Sequence, residues 1–219
     1  LPFVPFLLFR SKCKFSGILY NIYLYKWKTA SFFFKFKNVV LYQLMRYSLL
    51  YKHIYILNDN SASCVLNRVY KTDKFKYLPD PINIIGEKQN ESLIEGLNIQ
   101  QDKIVLLHCG ALSREKGTLD IFEMINQLSI DEKNKLTFIF AGRVGSDIKN
   151  EFYTCYQQLE NEVQMFVYDS FCTYEFMFSL FSISDIILCP YKRTAQSSGI
   201  IGYAAQLKIP VIVVEGGLL

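Results

Sequence analysis

The stretch from 104 to 143 constrains this chain most. It opens with the apolar run Ile104-Val105-Leu106-Leu107-His108-Cys109 and passes through Gly110-Ala111-Leu112-Ser113-Arg114-Glu115-Lys116-Gly117. A helix-like segment follows, and the stretch ends in Leu136-Thr137-Phe138-Ile139-Phe140-Ala141-Gly142-Arg143. Two short apolar runs bounded by glycine and separated by a helical pattern read as buried parallel strands joined by a crossover helix. Such a crossover sets the loop after the first strand beside the N-terminus of the next helix, at the carboxyl edge of the sheet. Backbone N–H groups and a lysine in that place suit an anion, so Lys116 and its turn are a candidate phosphate grip. Taken alone, Lys116 reads more readily as a solvated surface side chain.

Five apolar runs recur beyond this point, at 104–109, 136–141, 163–168, 185–190 and 210–214, with helix-compatible stretches between them. The alternation predicts an α/β architecture with a doubly wound parallel sheet over residues 104–219. Residues 1–78 form a separate piece, with a strand at His53–Leu57, a turn at Asn58-Asp59-Asn60-Ser61, a helix over Ala62–Tyr70 and a short strand at Phe75–Leu78. Asn58 and Asp59 follow a strand and could face a cleft, although Asn-Asp-Asn is first of all good turn chemistry. Pro79-Asp80-Pro81 breaks regular structure, and residues 79–103 read as the connection between the two domains. The chain begins with Leu1 and stops after a strand and a glycine turn with no helix to cover it, so a truncated fragment is expected.

The charge is distributed unevenly. Residues 1–58 hold nine Lys or Arg and no Asp or Glu, so a front of +9 precedes a remainder of −5. The same front carries 16 Phe, Tyr or Trp in its first 55 positions, Phe32-Phe33-Phe34-Lys35-Phe36-Lys37 among them. This composition suits peripheral contact with an anionic membrane, and it equally suits aromatics in a core with lysines on a solvated face. No segment reaches spanning length and no signal peptide is recognisable. Nucleic acid is a weaker partner, because no binding motif accompanies the charge. The six cysteines are scattered without a C-x-x-C pair, so no metal site is expected. Cys109 and Cys189 end apolar runs as reduced thiols, which points to a cytoplasmic location.

A second constellation is Cys189-Pro190-Tyr191-Lys192-Arg193-Thr194-Ala195-Gln196-Ser197-Ser198-Gly199, which leads into a helix-like segment and a further strand. Ser197, Ser198 and Gly199 stand where a strand-to-helix loop ends, so their N–H groups and hydroxyls could receive a phosphate. Plain N-capping by serine is the simpler alternative. Arg143, Tyr191 and Arg193 also follow strands at the same edge, where an anion or a nucleobase could be met. His108 lies inside an apolar run and reads as a hydrogen-bonded core residue.

These segments together resemble the donor-binding half of a GT-B glycosyltransferase, most closely the retaining family 4. The resemblance rests on a strand plus G-x-L-x-x-E-K-G (Gly110, Leu112, Glu115, Lys116, Gly117) and on the strand through Gly142. Ser184-Asp185-Ile186-Ile187-Leu188-Cys189-Pro190-Tyr191 and Ser197-Ser198-Gly199-Ile200 before Ile209-Pro210-Val211-Ile212 complete it. It covers about residues 53–219. It implies a nucleotide-sugar donor as substrate with no further cofactor, and a glycan or lipid-linked acceptor with retention at the anomeric carbon. The residues it assigns to the donor phosphates are Gly110, Arg114, Lys116, Ser197, Ser198 and Gly199. Arg143, Tyr191 and Arg193 are candidates for the nucleotide. Residues 1–78 would be part of the acceptor-side domain, and the catalytic residues on that side are not identified.

Two departures stand out. Many relatives carry Arg directly after the glycine of the first turn, where this chain has Ala111, with Arg114 the nearest substitute. The two glutamates of the family's E-x7-E pattern fall on Ala195 and Tyr203. A non-catalytic GT-B-like scaffold, favoured by Ala195 and Tyr203, and a nucleotide-sugar epimerase of the same fold, which needs the same diphosphate grip but no acceptor, stay open beside the transferase. Glycoside hydrolysis is disfavoured, because no paired carboxylates with acid/base spacing are present.

Overall fold

The computed structural model describes residues 14–19, 30–81, 96–100, 102–194 and 198–216. The chain divides into two compact units, one mainly Leu1–Pro81 and the other mainly Ile82–Thr194 with Ser198–Gly217.

The first unit contains β1 (Phe15–Leu19), α1 (Phe32–Tyr47), β2 (Tyr51–Leu57), α2 (Asn60–Tyr70) and β3 (Phe75–Leu78), its strands parallel in the order β1-β2-β3. Alternation along β2 buries Ile54 and Ile56, which pack with Tyr42 and Met45 of α1, Leu66 and Tyr70 of α2, and Phe75. Asp59 accepts the Ala62 N–H at 2.8 Å and caps α2. Asn58 adopts φ 53°, the left-handed conformation of a turn residue. Lys74 closes the other end of α1, its ammonium 2.6 Å from both the Arg46 and Ser48 carbonyl oxygens. β2 and α2 each begin two residues earlier than the sequence patterns suggest, and those patterns do not mark β1 or α1.

The second unit holds β4 (Ile104–Cys109), a 3-10 turn (Arg114–Lys116), α3 (Thr118–Gln127), α4 (Ile130–Lys133) and β5 (Leu136–Ala141). α5 (Lys149–Leu159), β6 (Gln164–Tyr168), α6 (Tyr174–Ser182), β7 (Ile186–Cys189), α7 (Gly199–Leu207) and β8 (Val211–Val213) complete it. All five strands are parallel in the order β6-β5-β4-β7-β8. The run expected from 185 starts one residue later as a strand. Asp185 instead accepts the Val105 N–H on its carboxylate at 2.8 Å.

Both faces of this sheet are covered, which is why its strands are continuously apolar. Leu106, Phe138 and Phe140 face α3 and α5, where Phe122 stacks on Phe140 at 4.9 Å and Phe152 meets both rings edge-on. Val105, Leu107, Cys109, Ile139 and Ile187 face α6 and α7. The strand order grows outward in one direction from β4 and in the other from β7. The loops after β4 and β7 thus flank the topological switch point, where open parallel sheets place their ligands.

Candidate functional site

The loop after β4 is fixed by backbone contacts that require glycine. Gly110 turns at φ 106° and donates its N–H to the Ala141 carbonyl at 2.9 Å. Gly142 has φ 146°, and a Cβ there would lie 1.6 Å from the Gly110 carbonyl oxygen, so the loops after β4 and β5 run in backbone contact. Leu112, fully buried, donates to the Arg143 carbonyl at 3.1 Å, while its own carbonyl accepts the Gly145 N–H at 2.8 Å. Gly117 ends the 3-10 turn at φ 69°. A Cβ there would stand 2.0 Å from the Pro190 carbonyl oxygen, in the loop after β7.

Below the turn, His108 bonds through Nδ1 to the Leu188 carbonyl at 2.9 Å and through Nε2 to the Thr118 hydroxyl at 3.0 Å. A carbonyl can only accept, so the neutral ring carries its proton on Nδ1, and Nε2 accepts from Thr118. Thr118 Oγ1 in turn accepts the Ser113 N–H at 2.9 Å. Burial, with Lys116 nearby, lowers the His108 pKa to about 4 despite the favourable Leu188 contact. His108 is a hydrogen-bonded core residue that ties both strands to the turn.

The structure brings Lys116 and Ser198 to one side chain. The Lys116 ammonium lies 3.7 Å from the centroid of the Tyr191 ring, and Ser198 Oγ donates to the Tyr191 hydroxyl at 3.4 Å. The Cys189 thiol reaches the same hydroxyl at 3.5 Å. Burial pushes the Tyr191 phenol far up, so it stays neutral, and burial lowers the pKa of Lys116. Ser198 is the N-cap residue of α7, yet its side chain makes no capping bond. Its hydroxyl is turned toward Tyr191 instead. Gly199 opens the helix, with only ordinary contact awaiting a Cβ there.

The other basic candidates are placed differently. Arg114 pairs with Glu151 of α5 at 2.6 Å, Arg193 with Glu115 at 2.6 Å and Lys192 with Asp120 at 2.9 Å. The last two pairs, with the Lys192 N–H on the Glu115 carbonyl at 3.0 Å, pin the loop after β7 onto the turn after β4. Among the described residues, Lys116 and Arg143 form no ion pair, and Arg143 stands exposed beside the Gly110–Leu112 loop. Tyr191 is 3% exposed, so its ring seats Lys116 rather than offering an open face to a base. Ser197 and Ala195 lie outside the described residues. Tyr203 packs edge-on against Phe178 at 5.3 Å and belongs to the α6–α7 core. No group of three metal-capable side chains occurs among the described residues.

No protein-family model and no curated protein sequence matches the chain. Solved structures do. Anabaena HepE in complex with UDP aligns at a TM-score of 0.72 and 15% identity, over 97% of this chain and 56% of that one. The fold is of the GT-B glycosyltransferase type. WaaG, a glycosyltransferase involved in lipopolysaccharide biosynthesis, aligns at 0.65 and 16% identity, over 93% of this chain and 57% of that one. A UDP-forming α,α-trehalose-phosphate synthase from Burkholderia vietnamiensis aligns at 0.58 and 10% identity, over 94% and 55%. The chain thus spans a little over half the length of these GT-B structures.

Proposed function

We propose that this chain is part of a glycosyltransferase that takes a nucleoside diphosphate sugar and passes the sugar, with retention, to a glycan or lipid-linked acceptor. The observation that carries this reading is the meeting of Lys116 and Ser198 on Tyr191, from two loops that flank the switch point. HepE of the same fold has been solved with UDP and with UDP-glucose, which supports a nucleotide-sugar donor here. On this reading residues 104–219 bind the donor and residues 1–78 belong to the acceptor side, in the cytoplasm and in contact with an anionic membrane surface.

The chemistry follows from where charge develops. As the bond from the anomeric carbon to the diphosphate oxygen breaks, its electron pair leaves with the diphosphate; the acceptor hydroxyl oxygen forms the new bond to carbon on the same face, and its proton passes to the departing diphosphate oxygen. Lys116 supplies a fixed positive charge beside the departing group. The uncapped start of α7, at Ser198 and Gly199, supplies backbone N–H groups, while the Ser198 hydroxyl is engaged with Tyr191. Such groups stabilise the transition state more than the ground state, because the diphosphate already carries more negative charge there.

A non-catalytic scaffold has one observation in its favour. The ring of Tyr203, at the position of the second family glutamate, is committed to the core and offers no carboxylate to a ribose. Calorimetry with UDP and UDP-glucose, followed by UDP release measured with and without saccharide acceptors, separates the readings. Acceptor-dependent release supports transfer, acceptor-independent turnover of the nucleotide sugar favours an epimerase, and absence of nucleotide binding favours the scaffold.

A further inference from the structure

Helix α1 displays an aromatic strip to solvent. Phe32 is 84% exposed, Phe33 75% and Phe36 60%, and Val39, Val40 and Tyr47 are exposed as well. At about 3.6 residues per turn these six side chains fall along one continuous face. The opposite face is the packed one, where Asn38, Tyr42 and Met45 are buried and Asn38 donates to the Phe34 carbonyl at 2.8 Å. The same helical spacing sets Lys37 on one border of the strip and Lys35 and Arg46 on the other. The aromatic-rich front is therefore divided, with Tyr42 in the core and Phe32, Phe33 and Phe36 outside it.

We infer that α1 is a membrane-surface helix, which lies flat on an anionic bilayer with Phe32, Phe33 and Phe36 among the lipid headgroups. An exposed apolar strip of this kind marks an interaction face. Its flanking cations select the occupant: lysines bordering an apolar face meet lipid phosphates while the rings enter the headgroup layer. Charge complementarity supports lipid over a basic or neutral protein partner, since residues 1–58 contain nine Lys or Arg and no carboxylate side chain. At 16 residues α1 lies on the surface rather than across it, and no helix among the described residues is long and apolar enough to span a membrane. The helix deepens the membrane contact proposed above by naming the element that makes it, and it does not depend on the sugar-transfer chemistry.

The test is co-sedimentation of the whole chain with vesicles of phosphatidylcholine alone or of phosphatidylcholine doped with phosphatidylglycerol. Binding to the doped vesicles only, weakened by added salt, is expected. The combined substitution Phe32→Ser, Phe33→Ser and Phe36→Ser should abolish it. Lys35→Gln with Lys37→Gln should weaken it roughly tenfold or more. All five positions lie on the exposed strip or its borders, so circular dichroism and UDP affinity should stay as in the parent, which separates failure of this inference from failure of the donor site. Absence of binding to doped vesicles would overturn the inference, as would unchanged binding by the triple-serine variant. A protein dimer that the serine substitutions break, with no vesicle binding, would assign the strip to a second copy instead.

Discussion

Lys116 rests over the face of Tyr191, 3.7 Å from the ring centroid, with no carboxylate to neutralise it among the described residues. A cation held on a ring by quadrupole attraction keeps its charge available to an arriving anion. Lys116→Ala should therefore lower affinity for UDP about ten- to hundredfold, the range expected for one lost charge-assisted hydrogen bond. Isothermal titration calorimetry measures the loss. An unaltered dissociation constant would remove Lys116 from the phosphate site.

Arg114 is tied to Glu151 by an exposed pair, the two side chains 49% and 56% accessible. Pairs of that kind contribute about 0–1 kcal/mol, little enough for a diphosphate to draw the guanidinium away. Glu151→Gln should then strengthen UDP binding by roughly threefold while thermal stability moves little. Affinity that does not rise would leave Arg114 as a surface ion pair with no donor role.

Gly142 and Gly110 make a graded test of the loop geometry. A Cβ at Gly142 would meet the Gly110 carbonyl oxygen at 1.6 Å, whereas a Cβ at Gly110 meets nothing within 4 Å and suffers only its φ of 106°. Gly110→Ala should cost about 1–3 kcal/mol of stability, the range for backbone strain, and Gly142→Ala more than that. Urea unfolding of the two variants gives the order, and equal losses would contradict the close approach.

Acid should weaken the fold through His108. Its pKa falls from 6.5 to about 4 in the folded chain, so below pH 6.5 the unfolded state binds a proton that the native state refuses. Stability from this residue is complete above pH 6.5 and declines as pH drops toward 4, by about 3 kcal/mol over that window at 1.36 kcal/mol per unit. Unfolding free energies measured across the window should show this slope, and His108→Gln should flatten it. A slope retained in full by the variant would assign it to other groups.

The sequence made the second unit's framework readable because its strands are buried on both faces. β4 and β5 appear as unbroken apolar runs, and their boundaries in the structure, Ile104–Cys109 and Leu136–Ala141, match those runs. α1 resisted for the opposite reason. Its most apolar residues, Phe32, Phe33 and Phe36, point away from the core, so a reading that sends aromatics inward finds no consistent helical face. At the site, glycine spacing exposed the turn that carries Lys116. The seat on Tyr191 left no local signal, since it exists only because the sheet sets β7 next to β4. Ser198 likewise occupies the cap position its residue type suggests, but its hydroxyl bonds to Tyr191 instead of capping the helix.

The near-collision of Gly117 with the Pro190 carbonyl has a thermodynamic corollary. Where Gly117 and Pro190 press together without room for a methyl group, the backbone has little freedom left to lose when a ligand arrives. On the proposed donor reading, a pyrophosphate beside Lys116 would then divert little of its binding free energy to ordering that contact.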